Sequence, residues 1–194
     1  MAIFPADEVK RKTFHFLTII YILAYWFLPY RTVMLGMSLF LVIVILGEVL
    51  RKLNPKFNIW ILEILGGVHR KEETNKVSGL PWTLSGSILT MAIFSDKPVV
   101  MLSLLYLAFG DAAAALFGKK YGKRKILGLK TLEGSLACFS ICLLLGLFFF
   151  NLKIALLGAL LITIIELIPW PLNDNFWIPL VSSAALSAML RVLN

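Results

Sequence analysis

The chain has 194 residues, 59% of them hydrophobic and 15% charged, with a mean hydropathy of +0.87 and a formal net charge of +8. That composition excludes a soluble α/β domain of this size, which needs more polar surface, and it points to an integral membrane protein. The two cysteines, Cys138 and Cys142, share one apolar run without ligand-like companions, which argues against a zinc site and against a secreted disulfide framework.

In chain order, Lys10, Arg11 and Lys12 precede apolar sequence with no clear small-residue cleavage site, so the first helix reads as retained. A helix needs about 20 residues to cross the hydrocarbon core, roughly 17 at the short end. Seven segments qualify: about 13–30, 32–50, 78–95, 98–117, 132–150, 152–168 and 175–193. The expectation is an all-α, polytopic protein, residues 1–194 forming one transmembrane catalytic domain. Residues 56–66 are too short to span, and their spacing of Phe57, Ile61 and Leu65 predicts an amphipathic helix on the membrane surface.

A cytoplasmic N-terminus places 1–12, 51–77, 118–131 and 169–174 on the cytoplasmic side, with 15 of the 19 Lys and Arg residues. The positive-inside bias therefore supports this orientation and helix count together. It also accounts for the basic excess through topology and membrane lipid headgroups, without a nucleic-acid partner.

Ionisable groups within spans are costly, and they pair or do chemistry. His15, Glu48, Asp111 and Glu166 all fall near the cytoplasmic ends. His15 also reads as a headgroup-level residue, and Glu48 with Arg51 as an ordinary i,i+3 pair. Asp111 lies about 9 Å inside its helix end. Gly110 and the alanines at 112–115 leave clearance beside it for a ligand or a close helix. The next loop, "GKKYGKRKILGLKTLEG", carries Lys119, Lys120, Lys123, Arg124, Lys125 and Lys130 among Gly118, Gly122, Gly128 and Gly134. Such a loop suits a polyphosphate. It is not a Walker A motif, because Arg124 follows Gly122-Lys123. In "IIELIPWPLNDNFWIPL", Pro169 ends the sixth span. Asp174 and Asn175 then stand at the mouth of the last, as helix caps or as polar ligands. Hard oxygen donors suit Mg²⁺ shared with substrate phosphates.

These motifs resemble those of the CTP-dependent polyprenol kinases, the family of dolichol, phytol and farnesol kinases. They overlap with motifs of the phosphatidate cytidylyltransferases. The resemblance rests on "RKTFHF" (Arg11, Lys12, His15), on "GDAAAALFGKKYGKRKILGLKTLEGS" and on "ELIPWPLNDNFWIPL". A weaker piece, "HRKEETNKVSGLPWTLSG", holds Arg70, Glu73 and Gly79. It implies a membrane enzyme that moves a phosphoryl group from CTP, with Mg²⁺, to an isoprenoid or other lipid alcohol. Asp111 and Asp174 are then metal ligands, Lys123 and Lys130 phosphate contacts, and Glu166 or Asp111 the base. Arg11, Lys12, His15, Gly118, Gly122, Thr131, Glu133 and Asn175 complete a nucleotide site. A compact chain of this kind fits a prokaryotic plasma membrane, with the site facing the cytoplasm. The rival readings are a cytidylyltransferase making a CDP-lipid, a small transporter and a non-catalytic scaffold.

Overall fold

A computed structural model describes residues 16–64 and 77–193. Among them are eight helices: α1 (Thr18–Phe27), α2 (Tyr30–Leu53), α3 (Pro55–Ile64), α4 (Gly79–Ile93), α5 (Lys97–Tyr121), α6 (Leu132–Phe149), α7 (Leu152–Leu167) and α8 (Asp174–Leu193). Four of them, α2, α5, α6 and α8, are long and apolar enough to cross a membrane, which makes this a polytopic integral membrane protein. The other predicted spans appear as shorter helices of 10, 15 and 16 residues, α1, α4 and α7. The segment predicted at 56–66 folds as α3, one residue early.

The fold is all-α, with one small addition that the sequence does not predict. Within the glycine-broken loop, β1 (Lys125–Leu127) and β2 (Lys130–Thr131) form an antiparallel hairpin. Gly128 turns it at φ 56°, the left-handed region where glycine carries no Cβ penalty.

Helix α5 organises the bundle because it is apolar all round, the pattern of a helix buried on every side. Val99, Leu102, Tyr106 and Leu107 pack with Cys138 and Cys142 of α6, Ile154 and Ile162 of α7, and Ile178 and Leu186 of α8. On its other side, Val100, Met101, Leu104 and Ala108 pack with Ile22 of α1, Val33 and Met37 of α2, and Leu84 and Met91 of α4. By contrast α2 is mostly uncovered, with Leu35, Leu39, Ile43, Leu46 and Leu50 exposed. That continuous apolar face matches a lipid-facing helix. Asp96 and Asn151 start α5 and α7 by accepting the N–H groups of Val99 and Ile154, each at 3.1 Å.

Two close approaches fix the end of the bundle that carries the hairpin. A Cβ at Gly134 would lie 2.7 Å from the Ala114 carbonyl, so α5 and α6 cross there with no room for a side chain. A Cβ at Gly86 would lie 2.6 Å from the Phe176 carbonyl, which brings α4 equally near the start of α8.

Candidate active site

Asp111 comes directly after a π-helical turn, Tyr106–Gly110, set inside α5. The wide turn inserts extra backbone and re-aims the side chains beyond it, and such turns recur at functional sites. Asp111 is buried at 8% exposure.

Lys130 opens β2, and its ammonium pairs with Glu166 Oε1 near the end of α7. The Glu166 side chain is 5% exposed and that of Lys130 35%. Burial alone lowers the pKa of the Lys130 ammonium. The negative charges of Glu166, Asp174 and Asp111 outweigh it, so the group lies above the ordinary lysine value. The same three carboxylates that the sequence singles out are thus brought around one lysine, although they come from α5, α7 and α8.

Asp174 opens α8, and its Oδ1 accepts the Asn175 N–H at 3.1 Å. The capping role is shared with Asn173, whose Oδ1 accepts the same N–H at 3.0 Å. Sequence reasoning misses Asn173, although an Asn just before a helix is an ordinary capping signal. Asn175 donates its side-chain amide to Thr83 Oγ1 on α4 at 3.0 Å. Thr83 is missed as well; nothing local in "GLPWTLSG" tells which helix its hydroxyl will meet. The α7–α8 link turns at Leu172, whose φ of 71° is left-handed, costing about 1–2 kcal/mol for a residue with a Cβ.

The glycine-rich segment is held together by its own polar groups. Glu133 Oε2 accepts the backbone N–H groups of Lys123 (3.0 Å) and Arg124 (3.3 Å), pinning the hairpin to the first turn of α6. Thr131 Oγ1 caps α6 by accepting the Gly134 N–H at 3.2 Å. Gly118 and Gly122 lie against Thr131; a Cβ at Gly122 would sit 2.8 Å from its Oγ1 and one at Gly118 3.0 Å. Thr131, Glu133 and both glycines therefore shape the loop. Lys123 projects from it, exposed. Arg11, Lys12, His15, Arg70 and Glu73 lie outside the described residues. Glu48 forms the expected pair with Arg51 at 2.9 Å.

Among the described residues no three His, Cys, Asp or Glu side chains form a ready cation cage. Mg²⁺ rarely asks for one, since it is bound through one or two carboxylates together with waters and substrate phosphates. Within the cluster itself, three carboxylates act on a single ammonium, a local excess of negative charge. The hard-oxygen donors Asp111 and Asp174 fit such an ion.

Fold and cluster define a class: a helical integral membrane protein with an acid–lysine cluster beside a basic hairpin at one end. Within that class the chain is similar to the CTP-dependent diacylglycerol kinase 1 of Saccharomyces cerevisiae, 28% identical over 218 residues, 95% of this chain and 74% of the relative. It is similar to the protein of the same name from Eremothecium gossypii, 30% identical over 209 residues, 91% of this chain and 65% of the relative. An uncharacterized protein of Rickettsia prowazekii is 29% identical over 185 residues, 89% of this chain and 90% of the relative. No protein-family model and no solved structure matches the chain. The likeness is to CTP-dependent lipid kinases, and none of these names specifies an isoprenoid acceptor.

Proposed function

We propose that the protein transfers the terminal phosphoryl group of CTP to the hydroxyl of a membrane lipid alcohol. The observation that carries this reading is the Lys130–Glu166 pair, with Asp111 and Asp174 acting on it, beside a basic hairpin on an apolar bundle. Similarity to CTP-dependent diacylglycerol kinases supports the donor and the reaction class. Their names favour diacylglycerol as the acceptor. The motif resemblance favours a polyprenol, phytol or farnesol, and the chemistry at phosphorus is the same.

The lipid oxygen forms the new bond to the terminal phosphorus, the bond to the bridging oxygen breaks, and CDP leaves. The transition state is loose, so positioning and electrostatics do most of the work. Lys130 offsets charge on the phosphate oxygens, with Lys123 reaching them from the loop before the hairpin. A triphosphate at Lys130 competes with Glu166 for the ammonium. The carboxylate released in that exchange takes the hydroxyl proton, which favours Glu166 over Asp111 as base. Asp111 and Asp174 would hold Mg²⁺, which would supply charge neutralisation and orientation to the phosphate oxygens. Arg11, Lys12 and His15 belong to the same nucleotide site in this reading. Gly118, Gly122, Thr131 and Glu133 keep the loop's backbone in place, and Asn175 orients the nucleotide. The bundle has seven spans with a cytoplasmic N-terminus, supported by the distribution of 15 of 19 cations to one side. The site then faces the cytosol.

Purified protein supplied with labelled CTP and either diacylglycerol or a short polyprenol tests this. CDP and a lipid phosphate are expected, with one acceptor preferred. Pyrophosphate and a CDP-lipid made from a lipid phosphate would instead establish the cytidylyltransferase alternative.

A further inference from the structure

Helix α4 has two working faces. One carries Thr83 and Gly86 against the start of α8. On another, α4 and α2 stand apart and enclose a groove of about 300 Å³. Ile45 and Val49 of α2 and Pro81, Trp82 and Ser85 of α4 line it. Ile45 and Val49 are nearly half exposed on the lipid-facing helix, so the groove is reached from the bilayer.

Two wall groups are charged, the acid Glu48 and the cation Lys52. The Glu48 carboxylate lies at the end of the groove where α4 begins. Its Oε2 accepts from Arg51 Nη2 at 2.9 Å and from the Ser78 backbone N–H at 3.3 Å. The Ser78 hydroxyl is a further donor to the carboxylate, whose two oxygens together offer about four acceptor sites and so can take one more hydrogen bond. An acceptor oxygen at the end of a mostly apolar groove complements a hydroxyl donor carried on a hydrocarbon chain.

The polar end of the groove is also near the Lys130 cluster. Ser78 bonds to Glu48, and the adjoining Gly79 looks the other way: a Cβ there would lie 3.5 Å from Asn175 Nδ2 and 3.8 Å from Asn173 Nδ2. Only the first turn of α4 therefore separates Glu48 from the corner that holds Asp174. Trp82 repeats this relation, lining the groove and meeting Phe176 edge-on at 6.2 Å.

We propose that this groove holds one hydrocarbon chain of the lipid alcohol, with the Glu48 carboxylate accepting a hydrogen bond from its hydroxyl. The inference rests on the lipid-alcohol reading given above. At about 30 Å³ per small group the volume accommodates roughly ten methylenes, one chain rather than two. A second chain stays in the bilayer. From Glu48 the hydroxyl passes the start of α4 to reach the Asp174 corner.

Full-length protein in nanodiscs, photolabelled with a diacylglycerol carrying a diazirine in one chain, tests the proposal. Label is expected on Ile45, Val49 and Trp82, competed by unlabelled diacylglycerol and by a polyprenol if that is the acceptor. Ser85→Trp fills the groove and is expected to cut labelling and raise KM for the lipid about ten-fold while KM for CTP is unchanged. Ile45→Trp fills it from the other wall, should Ser85→Trp fail to fold. Glu48→Gln is expected to raise the lipid KM in the same selective way. Label elsewhere, or an unchanged lipid KM in both filled variants, overturns the proposal. Equal labelling by a diazirine phosphatidylcholine that diacylglycerol does not displace also overturns it, and assigns the groove to bulk bilayer lipid. Photolabelling needs no turnover, so a wild-type protein that phosphorylates no lipid alcohol defeats the kinase reading, while the label still decides the groove.

Discussion

Lys130 and Glu166 are joined across the bundle, so removing either one strands the other. Lys130→Met leaves a 5%-exposed carboxylate side chain without its cation, for which a loss of about 1.5–3 kcal/mol is expected. The lysine's raised pKa gives the pair a defined pH range. Its stabilisation is complete below the ordinary lysine value of about 10.4 and is lost only as pH rises through the higher folded value. The difference in Tm between wild type and Lys130→Met in detergent should therefore shrink as pH rises above about 10. Shrinkage at neutral pH would contradict the pairing. Asp111→Asn keeps shape and removes charge. Phosphoryl transfer is expected to fall at least about 100-fold with little change in Tm, measured with labelled CTP. Tyr106 behaves differently from both. Its hydroxyl is fully buried without a hydrogen-bond partner among the described residues, so Tyr106→Phe should leave thermal stability unchanged or raise it by about 1 kcal/mol.

The α5–α6 crossing depends on Gly134 as a contact surface. Gly134→Ala drives a methyl against the Ala114 carbonyl, for which overpacking of about 1–3 kcal/mol is expected in thermal unfolding. Thr131→Ala should cost about 1 kcal/mol through the lost cap, and Thr131→Ser should restore it. These contacts show where sequence reasoning succeeds at this scale. Apolar run length finds the helices from α4 to α8 within a few residues at most ends, because hydrophobicity is a local property of each run. The hairpin is hidden because three- and two-residue strands leave almost no periodicity, and the basic residues around it draw attention to charge. The π-helical turn is hidden for another reason: "YLAFG" contains nothing that an ordinary helical turn would refuse. Asp111 is legible as costly in lipid, whereas the wide turn directly before it is not. Glu133 and Thr131 are legible as unusual, but their backbone partners emerge only once the hairpin folds back on α6.

For the whole molecule, the charge distribution and the helix count make one joint expectation. Single cysteines replacing Lys125 in the hairpin and Lys97 at the start of α5 should be labelled by impermeant thiol reagents from opposite sides of sealed vesicles. Labelling of both from one side would remove the seven-span topology. Cys138 and Cys142 are buried, so they should contribute little background. Composition makes the membrane character plain, because chains with so few charges cannot cover themselves with polar surface. The meeting of three distant carboxylates around Lys130 is not written in any one segment. It depends on α5 being covered on both faces, by α1, α2 and α4 on one side and by α6, α7 and α8 on the other. That arrangement has a consequence in time. The ribosome delivers the first wall of α5 before the second exists, so during synthesis Asp111 is present while Lys130, Glu166 and Asp174 are still to come. A chain halted after α5 keeps its aspartate and lacks the lysine and both other carboxylates; only the hairpin and the last three helices to emerge give that buried acid its charged neighbours.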